Sequence, residues 1–239
     1  MEFAVLLAIR YIYAMHNENS DIQQYIEIAI QEALDPTFEM TRLYLENNEL
    51  ELVNGLPKVE RIDTDLPNGL AAVYLKFREG FFLQVNLTRK PEIAVEYVWV
   101  ESSNAISLTA VSEKKKFDDL AKCLSLSPLK GWSKGDKKQT GDSNYIFTSV
   151  SYESAISNAY DMEAKLKLLL TELETDTEGV LKLTQCSTAH ISICRRQFVS
   201  GSAGVHFDAE TINRLSKLNL SLDIDTIIVG KPVTEDLDD

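Results

Sequence analysis

Two carboxylates near the carboxyl end of the chain are the first residues that could do chemistry. Asp223 and Asp225 lie two apart in the apolar segment LSLDIDTIIVG, residues 220–230. Side chains two apart on a strand point to the same face, so a strand would present both carboxylates together. Such a pair can bind a metal ion, but a calcium or magnesium site needs more oxygen ligands from elsewhere. The same alternation is typical of a strand with an apolar inner face and an acidic outer face, and we expect this structural role.

Histidine and cysteine residues offer a second chemistry. His190 and Cys194 share a strand face in TAHISICRR, but residues four apart on a strand lie about 13 Å apart, at a rise of ~3.3 Å per residue. A nucleophilic cysteine needs a base within hydrogen-bond reach, so we expect structural roles for both residues. With Cys123 and Cys186 the chain has three cysteines and no C-x-x-C pair. Free thiols in a reducing cytoplasm are expected, with no metal site and no cofactor.

A glycine- and lysine-rich segment is the third candidate. LKGWSKGDKKQTGD, residues 129–142, includes Trp132, Lys134 and Asp136. Its lysines could bind phosphate and its indole could stack on a ring, although the spacing matches neither a P-loop nor a dinucleotide-binding motif. Two interpretations stay open: a long connection between elements, or a loop that contacts a ligand or partner.

The charge of the chain restricts its partners. The 239 residues carry a net charge of −13, and residues 1–102 hold 17 acidic against 8 basic side chains. This excess disfavours nucleic acid and anionic membranes and favours a basic protein. The acidic clusters ENNELE (46–51) and ERIDTD (60–65) lie in this half. We therefore predict a partner-binding site made of Tyr44, Glu46, Glu49, Glu51, Asp63 and Asp65.

The elements that must position these residues divide into two predicted domains and a tail. Residues 1–102 begin with the apolar segment MEFAVLLAIRYIYAM, predicted to be a buried first element and not a signal peptide. A helix follows over NSDIQQYIEIAIQEALDP, with Ser20 as its N-cap. A hairpin around Asn47-Asn48 and three further strands up to residue 101 complete an α+β domain.

The second predicted domain, residues 103–232, alternates strands and helices in the order β-α-β-α-β-α-β, with the helices mainly on one face of a sheet. Its helices are predicted in KKKFDDLAKCLSL, DMEAKLKLLLTELET and FDAETINRLSKLN, the last with Asp208 as N-cap. An acidic tail, residues 233–239, ends the chain.

This second half resembles a bacterial domain-of-unknown-function family, number forty-two seventy-nine, over about residues 104–230. The matching features are FDDLAKCLSLSP, Lys134-Gly135-Asp136, the LLLTEL helix and the closing LSLDID. The second strand has Tyr145 and Phe147 where such domains often have a tryptophan. The resemblance implies no activity and no catalytic residues. At the family level, small acidic cytoplasmic proteins also resemble the immunity proteins of bacterial toxin systems.

Two functions from different classes follow as hypotheses. The first is a cytoplasmic, non-enzymatic inhibitor of the immunity or antitoxin kind, which neutralises a basic toxin, for instance a nuclease, by occluding its active site. The alternative is a small-ligand-binding or regulatory module that uses the loop 129–142.

Overall fold

The computed structural model describes residues 20–201 and 204–233. Their fold class is α+β, as predicted. The helices are α1 Ser20–Leu34, α2 Glu39–Asn47, α3 Phe117–Ala121, α4 Met162–Glu174, α5 Thr177–Cys186 and α6 Ala209–Lys217. The strands are β1 Leu52–Val53, β2 Leu56–Pro57, β3 Val59–Asp63, β4 Ala71–Lys76, β5 Phe82–Leu87, β6 Val95–Glu101, β7 Ser103–Ser112, β8 Leu129–Trp132, β9 Thr148–Glu153, β10 Thr188–Phe198 and β11 Ser221–Val229.

These elements form two compact units that are not continuous in sequence. In the described residues, unit 1 comprises 20–103, 196–201 and 228–233, and unit 2 comprises 104–195 and 204–227. The ends of β10 and β11 therefore belong with unit 1. The predicted first element, residues 1–15, and residues 234–239 of the predicted tail lie outside the described residues.

Unit 1 is an antiparallel sheet in the order β3-β4-β5-β6, covered on one face by α1. The apolar stripe of α1 has the spacing of one helix face, and it meets the inward side chains of the strands. The core of this unit contains Tyr25, Ile26, Ala29, Ile30, Val73, Leu75, Leu83, Val85, Val98 and Val100.

The predicted hairpin around Asn47-Asn48 is wrong, because this segment is the helix α2. Thr41 and Tyr44, three apart, are its buried residues. The hairpin lies further along the chain, where Asn54 (φ 53°) and Gly55 (φ 83°) join β1 to β2. An Asn-Gly pair with positive φ at both positions is the strongest short hairpin signal, since its twist matches that of the strands.

Unit 1 also uses residues from the far end of β10. The Phe198 ring stacks on Phe81 at a centroid distance of 5.0 Å and meets the Tyr44 ring edge-on at 5.8 Å. Phe198 is 3% exposed. The backbone N–H of Lys231 donates to Asn48 Oδ1 at 2.9 Å, so both late segments are bonded or packed into this unit.

Unit 2 contains the strand order β11-β10-β7-β9-β8, with the helices contributing to a single apolar core against this sheet. Leu166, Leu169, Leu170 and Leu173 of α4 are each 0% exposed in this core. Two elements were not predicted: α5, which follows α4 almost directly, and β8, which the sequence placed in a loop. Across the described ranges, no helix has both the length and the apolar character needed to span a membrane.

Candidate partner-binding surfaces

Tyr44 was predicted to belong to the partner-binding site, but it is buried. Its side chain is 5% exposed, and burial raises the pKa of its hydroxyl. Because a buried ring that packs against Phe198 cannot reach a partner, the structure corrects this assignment. Glu46 of the same helix is exposed.

Two of the three acids of the first predicted cluster, Glu49 and Glu51, are held in ion pairs within unit 1. Glu49 pairs with Arg78. Glu51 lies 3.0 Å from Lys76 and 3.2 Å from Lys58, and the hydrogen bond from Lys76 is the main cause that lowers the pKa of Glu51. Two of the three charges of this cluster are therefore neutralised within the fold, and that of Glu46 is not.

The second cluster is neutralised in the same way. Asp63 pairs with Arg61 on its own strand, and Asp65 lies 2.6 Å from Arg89. The Arg61 guanidinium also lies over the Tyr74 ring, 4.9 Å from its centroid, a favourable cation–π geometry. Asp65 keeps 83% of its side chain exposed, so it remains accessible although it is paired.

Unit 1 still has a large negative excess after these pairs form. The described residues of unit 1 contain 15 acidic and 9 basic side chains, and six of these bases already lie in ion pairs with acids of the same unit. The remaining acids include Asp35, Glu46, Glu92 and Glu96, all exposed. Exposed pairs of this kind contribute only about 0–1 kcal/mol each, but they determine which carboxylates are left to attract an external cation.

An exposed aromatic pair on β6 was missed by the sequence analysis. Tyr97 is 41% exposed and Trp99 is 51% exposed, on the strand face opposite to the buried Val98 and Val100. The signal was present in VEYVWVE, where valine alternates with large aromatic residues. An alternation of this kind places the rings outside the core, and tyrosine and tryptophan are the residues that most often anchor protein interfaces.

Polar side chains on β5 lie beside this aromatic pair. Gln84 is directly opposite Trp99, and Asn86 is directly opposite Tyr97. Gln84 Nε2 donates to Asn86 Oδ1 at 2.8 Å, while Asn86 Nδ2 is buried and has no hydrogen-bond partner among the described residues.

The loop 129–142 begins as strand β8 and continues as a short two-stranded extension. The backbone N–H of Gly135 donates to the Tyr145 carbonyl at 2.8 Å, and that of Tyr145 donates to the Asp136 carbonyl at 2.9 Å. The indole of Trp132 stacks on the Tyr145 ring at 4.2 Å, and its Nε1 donates to the Phe147 carbonyl at 3.1 Å. One face of the Trp132 indole is therefore covered by Tyr145 of the same extension and is not available to a ligand or partner.

Lys134 and Asp136 have different positions in this loop. Both are exposed, but Asp136 Oδ2 accepts the backbone N–H of Ser133 at 2.7 Å and shapes the turn. The residues past the loop, Ile146 and Phe147, are 76% and 37% exposed. Phe147 also lines an open cavity of about 560 Å³ whose other walls are Val111, Ser112, Glu113, Lys114, Cys186, Ser187 and Thr188.

The carboxylates of β11 point outward. Asp223 and Asp225 are exposed and alternate with the partly buried Leu222 and Ile224, which pack against the core of unit 2. In the described ranges, no group of three or more histidine, cysteine, aspartate or glutamate side chains is placed to hold a metal ion. The pair thus lies on the outer side of an amphipathic strand.

The thiols and the histidine of the second half are not combined into one constellation. His190 and Cys194 of β10 are partly buried and alternate with the buried Ile191 and Ile193. A thiol pair that the sequence does not predict lies elsewhere: Cys123 Sγ is 3.8 Å from Cys186 Sγ, and both are free. Burial and then this neighbour raise the pKa of Cys123, which disfavours the reactive thiolate.

The geometry of unit 2 defines an α+β domain in which one sheet carries helices and an exposed acidic edge strand. A family model described as a domain of unknown function, DUF4279, matches residues 101–228, so the chain belongs to this family. Comparisons with curated proteins and with solved structures gave no match.

Proposed function

We propose that this chain is a non-enzymatic inhibitor of the immunity kind, which binds a basic toxin domain and occludes its active site. The observation that carries the proposal is the exposed pair Tyr97 and Trp99 in a unit whose acidic excess its own bases do not balance. A large aromatic anchor supplies affinity, and uncompensated carboxylates attract the lysines and arginines that hold phosphate in a nuclease.

The proposed contact surface differs from the one predicted from sequence. Tyr97 and Trp99 replace Tyr44 as the aromatic anchors, and Glu46 is kept as an exposed acid. Glu49, Glu51, Asp63 and Asp65 would have to leave an internal base before pairing with a partner. They therefore contribute less net affinity than their charges suggest, because breaking an existing ion pair offsets the new one.

The test is binding to the protein encoded by the neighbouring gene, together with protection of cells that express both proteins. For the variant Tyr97→Ala/Trp99→Ala we expect the affinity to fall by about 100-fold or more, since two anchors of about 2 kcal/mol or more are lost. The association rate should fall as salt rises, because exposed charges are screened. Calorimetry and stopped-flow fluorescence measure the two effects.

The matched control is Leu52→Ala/Val53→Ala, which removes two aliphatic side chains of unit 1 that are 52% and 50% exposed. This control should bind like the unchanged chain. Equal loss in both variants, or a neighbouring domain that neither binds nor harms cells, would contradict the proposal.

Small-ligand binding is the second candidate function, favoured by the cavity beside Phe147. Its volume of about 560 Å³ lies within the range of about 300–1,000 Å³ that ligand sites occupy. A thermal-shift screen with ATP, GTP and inorganic phosphate tests it, since a ligand that binds only the folded state raises the melting temperature. A shift that is lost in Phe147→Ala would support this function, and no shift at millimolar concentration would contradict it for these ligands.

A further inference from the structure

The two outer strands of the sheet in unit 2 are very different edges. The order β11-β10-β7-β9-β8 leaves β8 and β11 at the ends. β8 has four residues, whereas β11 has nine. A short edge offers little backbone for pairing with another chain, but a long one presents a row of N–H and C=O groups. Among the described residues, no strand pairs with the outer edge of β11.

The exposure of β11 is that of an uncovered edge. Asp223, Asp225, Thr226 and Ile227, the outer residues of the part of β11 that belongs to unit 2, are all exposed. Ile227 keeps 41% of its surface exposed. Neither lysine nor proline occurs within the strand, although these residues commonly protect an edge.

A groove lies beside this edge on the helix side. It has a volume of about 480 Å³ and is lined by Ala189 of β10, by Ile212, Leu215 and Ser216 of α6, by Asn219, and by Leu220, Ser221 and Leu222. Ile212 is 49% exposed in its wall. Asn219, in the left-handed conformation at φ 54°, ends α6 and turns the chain into β11, so helix and strand stand side by side.

We propose that β11 and this groove form a docking site for an extended segment of a partner in which lysine or arginine alternates with apolar residues. The segment adds a strand to the sheet, as in other edge-strand recognition sites. Because side chains alternate along a strand, every second one faces Asp223 and Asp225, and the others enter the groove beside Ile212 and Leu222. Opposite charges across neighbouring strands are stabilising.

In the two registers centred on or between the carboxylates, the charges disfavour a second copy of this chain. An antiparallel pair of β11 strands centred on Asp225 places this carboxylate opposite itself. A shift of the centre to Ile224 places Asp223 opposite Asp225. Like charges directly opposite destabilise a strand pair. This site lies in a different unit from Tyr97 and Trp99 and does not rest on the inhibitor function.

The experiment titrates the full chain with a fluorescent peptide of nine alternating lysines and valines, with blocked ends, and follows anisotropy. We expect saturable binding that weakens by about five- to tenfold in Asp223→Asn/Asp225→Asn, since two exposed cross-strand charge pairs are lost. The matched control is Asp118→Asn/Asp142→Asn, which removes the same charge from two exposed acids of unit 2 outside β11. A peptide with glutamate in place of lysine should not bind.

Backbone pairing is tested separately from charge. Two further peptides carry N-methyl groups on all valines or on all lysines, and each removes the N–H donors of one peptide edge. In strand addition only one edge of the peptide pairs, so one of the two should lose binding and the other should keep it. Ile212→Ala should weaken binding of the unmodified peptide.

Three results would overturn the proposal. They are no saturable binding of the lysine–valine peptide, equal weakening in both double aspartate variants, and equal binding of the two methylated peptides. Sedimentation that shows a dimer of the unchanged chain, strengthened by Asp223→Lys because a lysine then lies opposite Asp225, would assign the edge to a second copy of the chain.

Discussion

The carboxylates of this chain differ in the basic side chains that pair with them, and these bases need not be close in sequence. Glu51 forms an ion pair with Lys76 of β4, and Asp65 forms one with Arg89, which follows β5. These bases are 25 and 24 positions away in the chain and become neighbours only when the strands pair. An acidic run in a sequence therefore gives the number of charges but not the number that remains unpaired.

Asp208 allows a test of one such carboxylate. It caps α6 by accepting the backbone N–H of Thr211 at 2.7 Å, and it lies 2.7 Å from Lys167. The bond from Lys167, followed by that from Thr211, holds the pKa of Asp208 well below its usual range. The folded state thus favours the ionised form, and this stabilisation is complete above the unfolded pKa of about 3.9.

We expect Asp208→Asn to lower the melting temperature at pH 7, because asparagine still caps a helix but loses the charge. The difference from the unchanged chain should shrink as the pH falls below about 4 and the carboxylate in the unfolded chain becomes protonated. Thermal unfolding from pH 7 to pH 3 measures it. Asp223→Asn serves as the exposed control, and a difference independent of pH would contradict the assignment.

At the scale of elements, the strand pair β8–β9 depends on one glycine. Gly131 has φ 152°, and a Cβ at this position would lie 2.0 Å from the Ser149 carbonyl oxygen and 3.0 Å from the Phe117 ring. Only a residue without a side chain permits this approach. The loop that carries Trp132 is consequently fixed at its base.

Gly131→Ala should reduce the free energy of unfolding by about 2–3 kcal/mol, because the clash and the unfavourable backbone angle act together. The control is Gly141→Ala, where φ is also positive, at 82°, but no atom lies within 4 Å of the added Cβ. It should cost about 1–2 kcal/mol. Urea denaturation compares the two, and equal losses would show that the close approach is unimportant.

The elements that could be predicted were those with a regular spacing of apolar residues and a capping residue or turn that marks an end. α1 has a continuous apolar stripe, and α6 has Asp208 at its start. The strands from 71 to 101 have β-branched and aromatic alternation. These features depend on neighbouring residues alone, so one sequence is enough to find them.

The missed elements depend on residues outside their own segments. Phe38, the N-cap of α2, makes no side-chain cap, and the buried Glu32 accepts the Phe38 N–H instead. α5 contains Gly179, which argues against a helix, yet a Cβ there would lie 2.5 Å from the Cys123 carbonyl. In both cases tertiary contacts override the local preference. The proposed contact surface was harder to predict than the elements. The sequence placed Tyr97 and Trp99 in a strand, but their exposure depends on which face of the sheet is covered.

At the scale of the whole molecule, the residues that the family model matches are not the same as the residues of either compact unit. The family match covers residues 101–228, whereas unit 1 takes 196–201 and 228–233 in addition to its first segment. The predicted boundary at 102/103 stays a prediction about independent folding. Phe198 makes that prediction testable, because it is buried against Phe81.

We expect a fragment of residues 1–103 to lack a cooperative thermal transition, since it loses the Phe198 ring and the strand ends that accompany it. In the full chain, Phe198→Ala should reduce the free energy of unfolding by about 3–5 kcal/mol, the usual cost of removing a buried phenylalanine ring. Circular dichroism against temperature tests both. A sharp transition in the fragment would mean that unit 1 folds without its late segments.

The position of Phe198 also affects how the chain folds while it is being synthesised. Protein synthesis delivers residues in order, and domains generally fold as they appear. Here the amino-terminal sheet would leave the exit tunnel with the Phe81 ring uncovered, and it would have to wait for more than a hundred further residues before its missing aromatic neighbour is translated. Nascent chains of this protein should therefore be prolonged clients of chaperones that hold apolar surface.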